Sequence, residues 1–154
     1  MTRIAVFSDS HGRLEVFEKA VRELKDISAI VHLGDCASDA AEIMRLTGRE
    51  ILTINGNCDI ISREPLFRKL VLDGKTVYCT HGHREHVKMG LMRLSYRAEE
   101  EQADLVLYGH THIQSVQMIG KTCFVNPGAM KDGHYCTITI DDGAITPDLH
   151  FIRP

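Results

Sequence analysis

Tryptophan is absent from this 154-residue sequence, and aromatic residues make up only 6% of it. No aromatic pair stands out that could stack nucleobases, so a nucleic-acid groove is not expected. A basic excess is also missing: the formal net charge is -3, which argues against a polyanion-binding surface. Affinity for phosphate would have to come from a local positive site. The five cysteines, Cys36, Cys58, Cys79, Cys123 and Cys136, are odd in number and scattered, with no C-x-x-C pair. A disulfide framework and a structural zinc knuckle are both disfavoured. Long hydrophobic runs are lacking too. The first, Ile4–Phe7, is too short for a signal-peptide core or a membrane span. A soluble protein of a reducing cytoplasm is the simplest expectation. No linker, repeat or low-complexity stretch interrupts the chain, so residues 1–154 read as one domain, of a size that folds without staples.

What the sequence does contain is alternation. Ile4–Phe7 reads as a buried strand running into Ser8-Asp9-Ser10-His11-Gly12. Leu14, Phe17, Val21 and Leu24 follow at helical spacing. Ala29–Leu33 is a second strand ending at Gly34-Asp35. A second helix is expected from about Ser38, its cap, to Leu46, with Gly48 beyond its end. Glu50–Ile54 is a third strand, ending at Asn55-Gly56-Asn57. Three strand–helix steps in series predict a parallel α/β core with right-handed crossovers. Farther on, Leu66–Leu72 and Lys75–Thr80 flank Asp73-Gly74, a hairpin signal. A helix is expected over Val87–Gln102, then strands over Asp104–Tyr108, Ile113–Ile119, Lys121–Val125 and Tyr135–Ile140, and a last run from Ala144 to Ile152. Two mixed sheets packed face to face, with helices outside, are the predicted whole.

The polar residues with chemical potential sit at strand ends. Asp9 and His11 follow the first strand, Asp35 the second and Asn57 the third. His81 and His83 follow Lys75–Thr80, and His110 and His112 follow Asp104–Tyr108. Ligand sites in open α/β sheets lie beyond the carboxyl ends of strands, so these five loops can meet. The neighbouring glycines allow sharp turns and close approach. Imidazole, carboxylate and amide oxygen together suit borderline divalent ions such as Mn²⁺, Fe²⁺ or Zn²⁺. One aspartate can bridge two ions, and such a pair can clamp the attacking and leaving oxygens of an in-line displacement at phosphorus. Two divalent cations, two aspartates and one bridging hydroxide leave a single net positive charge, enough to draw in a phosphoester anion. Any one of these residues alone would be a weak signal, and only the set matches both ligand type and placement.

The ordered blocks D-x-H, G-D, G-N-x-[DE], H-G-H and G-H-x-H span Asp9 to His112. They resemble the calcineurin-like metallophosphoesterase superfamily, and the short chain, Asn57-Cys58-Asp59 and Asn126-Pro127-Gly128 make it most similar to the small YfcE-like phosphodiesterases. The resemblance implies a four-layer αββα sandwich. It implies that Asp9, His11, Asp35 and His112 hold one metal, and that Asp35, Asn57, His81 and His110 hold the other, with Asp35 bridging. The ions implied are commonly Mn²⁺, with Fe²⁺, Zn²⁺ or Ni²⁺ as compatible substitutes. Two departures matter. Many members carry histidine where this chain has Cys58, and a thiol is a poor proton donor near neutral pH. The larger protein phosphatases follow G-D with an arginine, where this chain has Cys36. Both absences argue against a protein phosphatase.

The expected activity is therefore hydrolysis of a small phosphodiester by a metal-bridging hydroxide. Asp35, Asn57 and His83 are the candidate catalytic residues, and Cys58, His83 and Asn126 the candidate substrate contacts. The bland readings stand beside these. His32, inside an apolar strand, reads as a packed core histidine. Cys58, like Cys36 and Cys79, reads as a small buried hydrophobe rather than a catalytic thiol. Asn126-Pro127-Gly128 reads as a rigid turn that the resemblance places at the active-site rim, and His86 and His134 read as surface or pocket-edge residues. Two competing functions remain, a phosphomonoesterase and a non-catalytic protein-interaction scaffold like the retromer subunit of this fold. Exposed apolar strands late in the chain would permit a homo-oligomer.

Overall fold

A computed structural model describes residues 1–153. Strand β1 (Thr2–Phe7) leads through helix α1 (Leu14–Glu23) to β2 (Ala29–His32), and through α2 (Ala37–Thr47) to β3 (Leu52–Thr53). β1 pairs in parallel with β2, from Ile4 opposite Ala29 to Phe7 opposite His32, and β2 pairs in parallel with β3. The chain then makes the hairpin of β4 (Phe67–Leu72) and β5 (Lys75–Thr80) across Asp73-Gly74. After α3 (Met92–Glu100) come β6 (Leu105–Leu107), β7 (Ser115–Ile119), β8 (Thr122–Asn126), β9 (His134–Asp141) and β10 (Ala144–Phe151). One sheet has the order β10-β9-β1-β2-β3 and the other β4-β5-β6-β8-β7. Both are mixed, because β9, β10, β4 and β7 run antiparallel to their neighbours.

The period-two alternation of strand side chains explains the four layers. Ile4 and Val6 of β1 point between the sheets, while Ala5 and Phe7 point to the layer of α1 and α2. On the second sheet Leu105, Leu107, Cys123 and Val125 point inward, whereas Val106 and Phe124 face Leu94 and Ala98 of α3. Both faces of the central strands are covered, hence their unbroken apolar runs. Each fully buried large side chain, such as Phe7, Phe17 or Leu105, contributes about 1.5–3 kcal/mol.

Three expectations needed correction. The third strand is two residues long rather than Glu50–Ile54. The helix expected over Val87–Gln102 breaks at Gly90, whose φ of 125° ends a 3-10 turn at Val87–Met89 before α3 begins. Ser38 does not cap α2, which starts at Ala37 after a left-handed Cys36. The cap instead comes from outside the helix: the Asp59 carboxylate accepts the Ala37 N–H at 2.8 Å.

Candidate metal centre

Packing the sheets face to face brings the carboxyl ends of β1, β2, β3, β5 and β6 to one edge of the sandwich. The loops there are tied by their backbones: Asp9 N–H donates to the Gly34 carbonyl, and Gly109 N–H to that of His81, both at 2.9 Å. Two groups of metal-capable side chains result, Asp9 with His11 and His112, and Asp35 with His81 and His110. Within each group one ligand atom per residue lies within 4.8 Å of the others. Asp35 faces both. Its Oδ2 is 3.4 Å from His81 Nε2 and 3.7 Å from His11 Nε2. Asp9 Oδ1 lies 3.2 Å from His112 Nε2 and 3.7 Å from His11 Nε2.

This arrangement is held under strain. Asp9, His11, Asp35, His110 and His112 all have positive φ, between 44° and 73°, a conformation uncommon for residues other than glycine. The glycines beside them serve a different need. A Cβ on Gly56 would strike the Asp35 carboxylate, and one on Gly109 would strike the Ser8 hydroxyl and Asp9. The G-N and G-H pairs of the sequence are thus requirements of space.

The donor set meets the needs of a divalent ion. His81 is buried, and its Nδ1 lies 2.8 Å from the Leu33 carbonyl. A carbonyl only accepts, so Nδ1 carries the proton and Nε2 presents a lone pair when the ring is neutral. Nε2 of His81 and Nε2 of His11 are buried and have no hydrogen-bond partner among the described residues. Each instead faces carboxylate oxygens at 3.4–3.8 Å. An ion held by each group would give that group's nitrogen a partner. Asp9 and Asp35 each accept a backbone N–H on their other oxygen, from His110 at 3.1 Å and Cys58 at 3.0 Å, which fixes the carboxylates without using them up.

The electrostatics agree. Burial pushes the Asp35 carboxyl up, but the His81 imidazole and the Cys58 N–H outweigh it and hold Asp35 well below the usual carboxylate range. Burial disfavours charge on His81, yet Asp35 and Asp9 raise its pKa on balance. His110 is pushed down to about 4 by burial and by the charge of His81. The carboxylates thus favour positive charge at His81, whereas His110 is driven towards the neutral form. A divalent cation would meet the same demand for positive charge, with both rings binding as neutral ligands.

The remaining candidates fall into place unevenly. Asn57 is exposed, with its amide nitrogen 3.6 Å from the Cys58 sulfur, which leaves its carbonyl oxygen free as a ligand. Cys58 is exposed rather than a buried hydrophobe, because its loop turns outward after donating its N–H to Asp35. Cys36 is half-buried and Cys79 buried. His83 is half-buried, its ring 5.4 Å from that of His81 and 6.2 Å from that of His110. Burial and then the charge of His81 lower its pKa. Asn126 is fully buried. Its amide donates to the Gly109 carbonyl and the Thr111 hydroxyl and accepts the Gly128 N–H, so it braces the 109–112 loop instead of lining a rim. His86 is exposed, and His134 packs against Phe151.

His32 is the packed core histidine expected. Its Nδ1 accepts the Gly34 N–H at 3.2 Å, so Nε2 carries the proton and donates to Ser10 Oγ at 2.9 Å. Burial lowers its pKa to about 4, and the neutral ring ties the first two site loops together. Sequence reasoning missed the part of Asp59. Its carboxylate accepts the N–H groups of Asp35, Ala37 and Gly56, each at 2.8 Å, and so pins two site loops and the start of α2. The only signal was its place as the last position of the G-N-x-[DE] block.

Comparison with known proteins identifies the family and the fold. A family model described as the calcineurin-like phosphoesterase superfamily domain matches residues 2–143. A probable metallophosphoesterase of Bacillus subtilis, YsnB, is 27% identical over 150 residues, covering 93% of this chain and 87% of the relative. Phosphodiesterase YfcE of Escherichia coli is 23% identical over 155 residues, covering 85% and 80%. Vacuolar protein sorting-associated protein 29 of Schizosaccharomyces pombe is 30% identical over 124 residues, covering 80% and 66%. A crystal structure of a predicted phosphoesterase from Streptococcus pneumoniae superposes with a TM-score of 0.82 at 28% identity, over 97% of this chain and 89% of that one.

Proposed function

The chain belongs to the calcineurin-like phosphoesterase superfamily, and on that premise we propose that it is a dinuclear metal-dependent phosphodiesterase of small phosphoesters, formed as one domain over residues 1–154. The observation that carries the reading is the pair of three-residue groups that meet at Asp35. In this reading Asp9, His11, Asp35 and His112 hold one divalent ion, and Asp35, Asn57, His81 and His110 hold the other. Mn²⁺ is the favoured metal, with Fe²⁺, Zn²⁺ or Ni²⁺ able to replace it. When bound, the ions supply Lewis-acid polarisation of the phosphoryl group and an activated water at neutral pH.

The chain's own residues do the rest. Leu33 and the Cys58 N–H orient His81 and Asp35 so that ligand atoms converge without rearrangement. His83, held neutral beside His81 and His110, has one N–H to offer the ester or its departing oxygen. Cys36 and Cys58 stand where an arginine and a histidine would otherwise grip or protonate the phosphate, and partial desolvation together with the nearby aspartates raises both thiols. With neither an acid nor a side-chain cation there, a diester with a good leaving group is the better substrate.

The test is Mn²⁺ reconstitution, metal analysis and turnover of an aryl phosphodiester against the corresponding monoester. About two equivalents of metal and preferential diester hydrolysis are expected, and Asp35→Asn should lose both together. Diester hydrolysis retained by Asp35→Asn would overturn the assignment. A second reading, a non-catalytic interaction scaffold, is favoured by the relative named vacuolar protein sorting-associated protein 29. It requires less than about one equivalent of bound Mn²⁺. Faster turnover of the monoester would instead make the protein a phosphomonoesterase.

A further inference from the structure

Beside the metal centre, between the start of α2 and the 58–64 loop, lies an open groove of about 590 Å³. That volume falls within the range of small-molecule sites. Two of its lining residues adjoin the metal centre: Cys36 follows Asp35 in the chain, and the Cys58 N–H is bonded to the Asp35 carboxylate. Ala37 and Ala41 line its helix side. The loop side carries Ile60 and Ile61, which are 90% and 95% exposed. Two adjacent isoleucines left almost wholly in water contribute nothing to any of the three apolar clusters of the fold.

The loop that presents them is fixed. Asn55 N–H donates to the Pro65 carbonyl at 2.8 Å, and its side chain donates to the Ser62 carbonyl at 2.9 Å. The charges along the groove are already engaged: Asp59 accepts three N–H groups and Glu64 pairs with Arg68 at 3.3 Å. Among the described residues no cation lines it, so it is unsuited to a second phosphate.

We propose that this groove receives an uncharged, apolar alcohol arm of the phosphoester, alkyl or aryl, and so selects substrates with one such arm. The inference rests on the metal-centre reading, because the groove opens beside Asp35 and the phosphoryl group would anchor the arm there.

The test is calorimetric binding of methyl, butyl and hexyl phosphate to the Mn²⁺-loaded full chain, which needs no turnover. Full burial of one methylene is worth about 0.8 kcal/mol, close to fourfold in affinity. An arm half covered by an open groove should therefore gain on the order of 30-fold from methyl to hexyl. In Ile60→Ser/Ile61→Ser the hexyl-to-methyl ratio should fall to roughly threefold or less. Both positions are exposed, so the variant should fold, and near-native thermal unfolding would verify it. A flat series in the wild type, or an unchanged ratio in the variant, overturns the groove assignment even if aryl diesters are hydrolysed. A steep series without any diester hydrolysis supports the groove and counts against catalysis. Concentration-dependent self-association abolished by the double substitution would overturn the proposal in favour of a second copy of the chain.

Discussion

Nδ1 of His81 donates to the carbonyl of Leu33 at 2.8 Å, and that bond aims the other ring nitrogen at Asp35. A ligand oriented by a backbone carbonyl needs no side-chain partner, so it survives variation elsewhere in the site. Replacing His81 with phenylalanine should keep the ring volume and remove the lone pair. Bound Mn²⁺ should fall from about two equivalents to one, and diester turnover by at least about 100-fold. Metal analysis beside the assay checks both, and unchanged stoichiometry would show that His81 is not a ligand.

Asp59 offers a separate test of how the site is positioned. Three backbone N–H groups converge on its carboxylate, and bonds to a charged acceptor contribute roughly 1.5–3 kcal/mol each where they are shielded. The N–H groups of Asp59→Ala can partly recruit water, so a loss of about 3 kcal/mol in unfolding free energy is expected. Mn²⁺ affinity should weaken about 10–100-fold. Asp59→Asn, which keeps one acceptor oxygen, should recover part of both. Urea denaturation and metal titration would measure the effects.

Asn126 distinguishes bracing from substrate contact. Its side chain is fully buried, with all three hydrogen bonds going to the protein. Asn126→Ala should cost about 2–3 kcal/mol of stability, and any loss of turnover should appear in metal affinity or kcat. A raised KM at saturating Mn²⁺ with unaltered unfolding would show a direct contact instead.

His32 makes stability depend on pH. Its folded pKa of about 4 lies below the ordinary 6.5, so between those values the unfolded chain binds more protons than the folded one. Stability from this group is therefore complete above about pH 6.5 and is lost as pH falls toward 4, to a total of about 3 kcal/mol. Urea unfolding of metal-free protein at several pH values should show the decline. His32→Gln, which retains a donor and an acceptor, should be less stable at pH 7 but flatter across that window.

The sequence alone determined the strand–helix alternation, the apolar runs and the strand-end clustering of Asp9, His11, Asp35, His81, His110 and His112. Side-chain period and ligand type are local properties, readable one residue at a time. Tertiary structure decided everything that depends on approach. The Asp59 clamp joins residues 22 to 24 positions apart, and no periodicity signals it. The outward turn of Cys58, the engagement of Asn126 within the protein and the break at Gly90 were equally hidden, because exposure and hydrogen bonding are set by which loops the second sheet brings alongside the first. Asp9 and His112 are 103 residues apart and 3.2 Å distant. Only the face-to-face packing of the two sheets, with their strand ends at one edge, makes them neighbours, so the residues of the site were legible in the sequence while the distances between them were not.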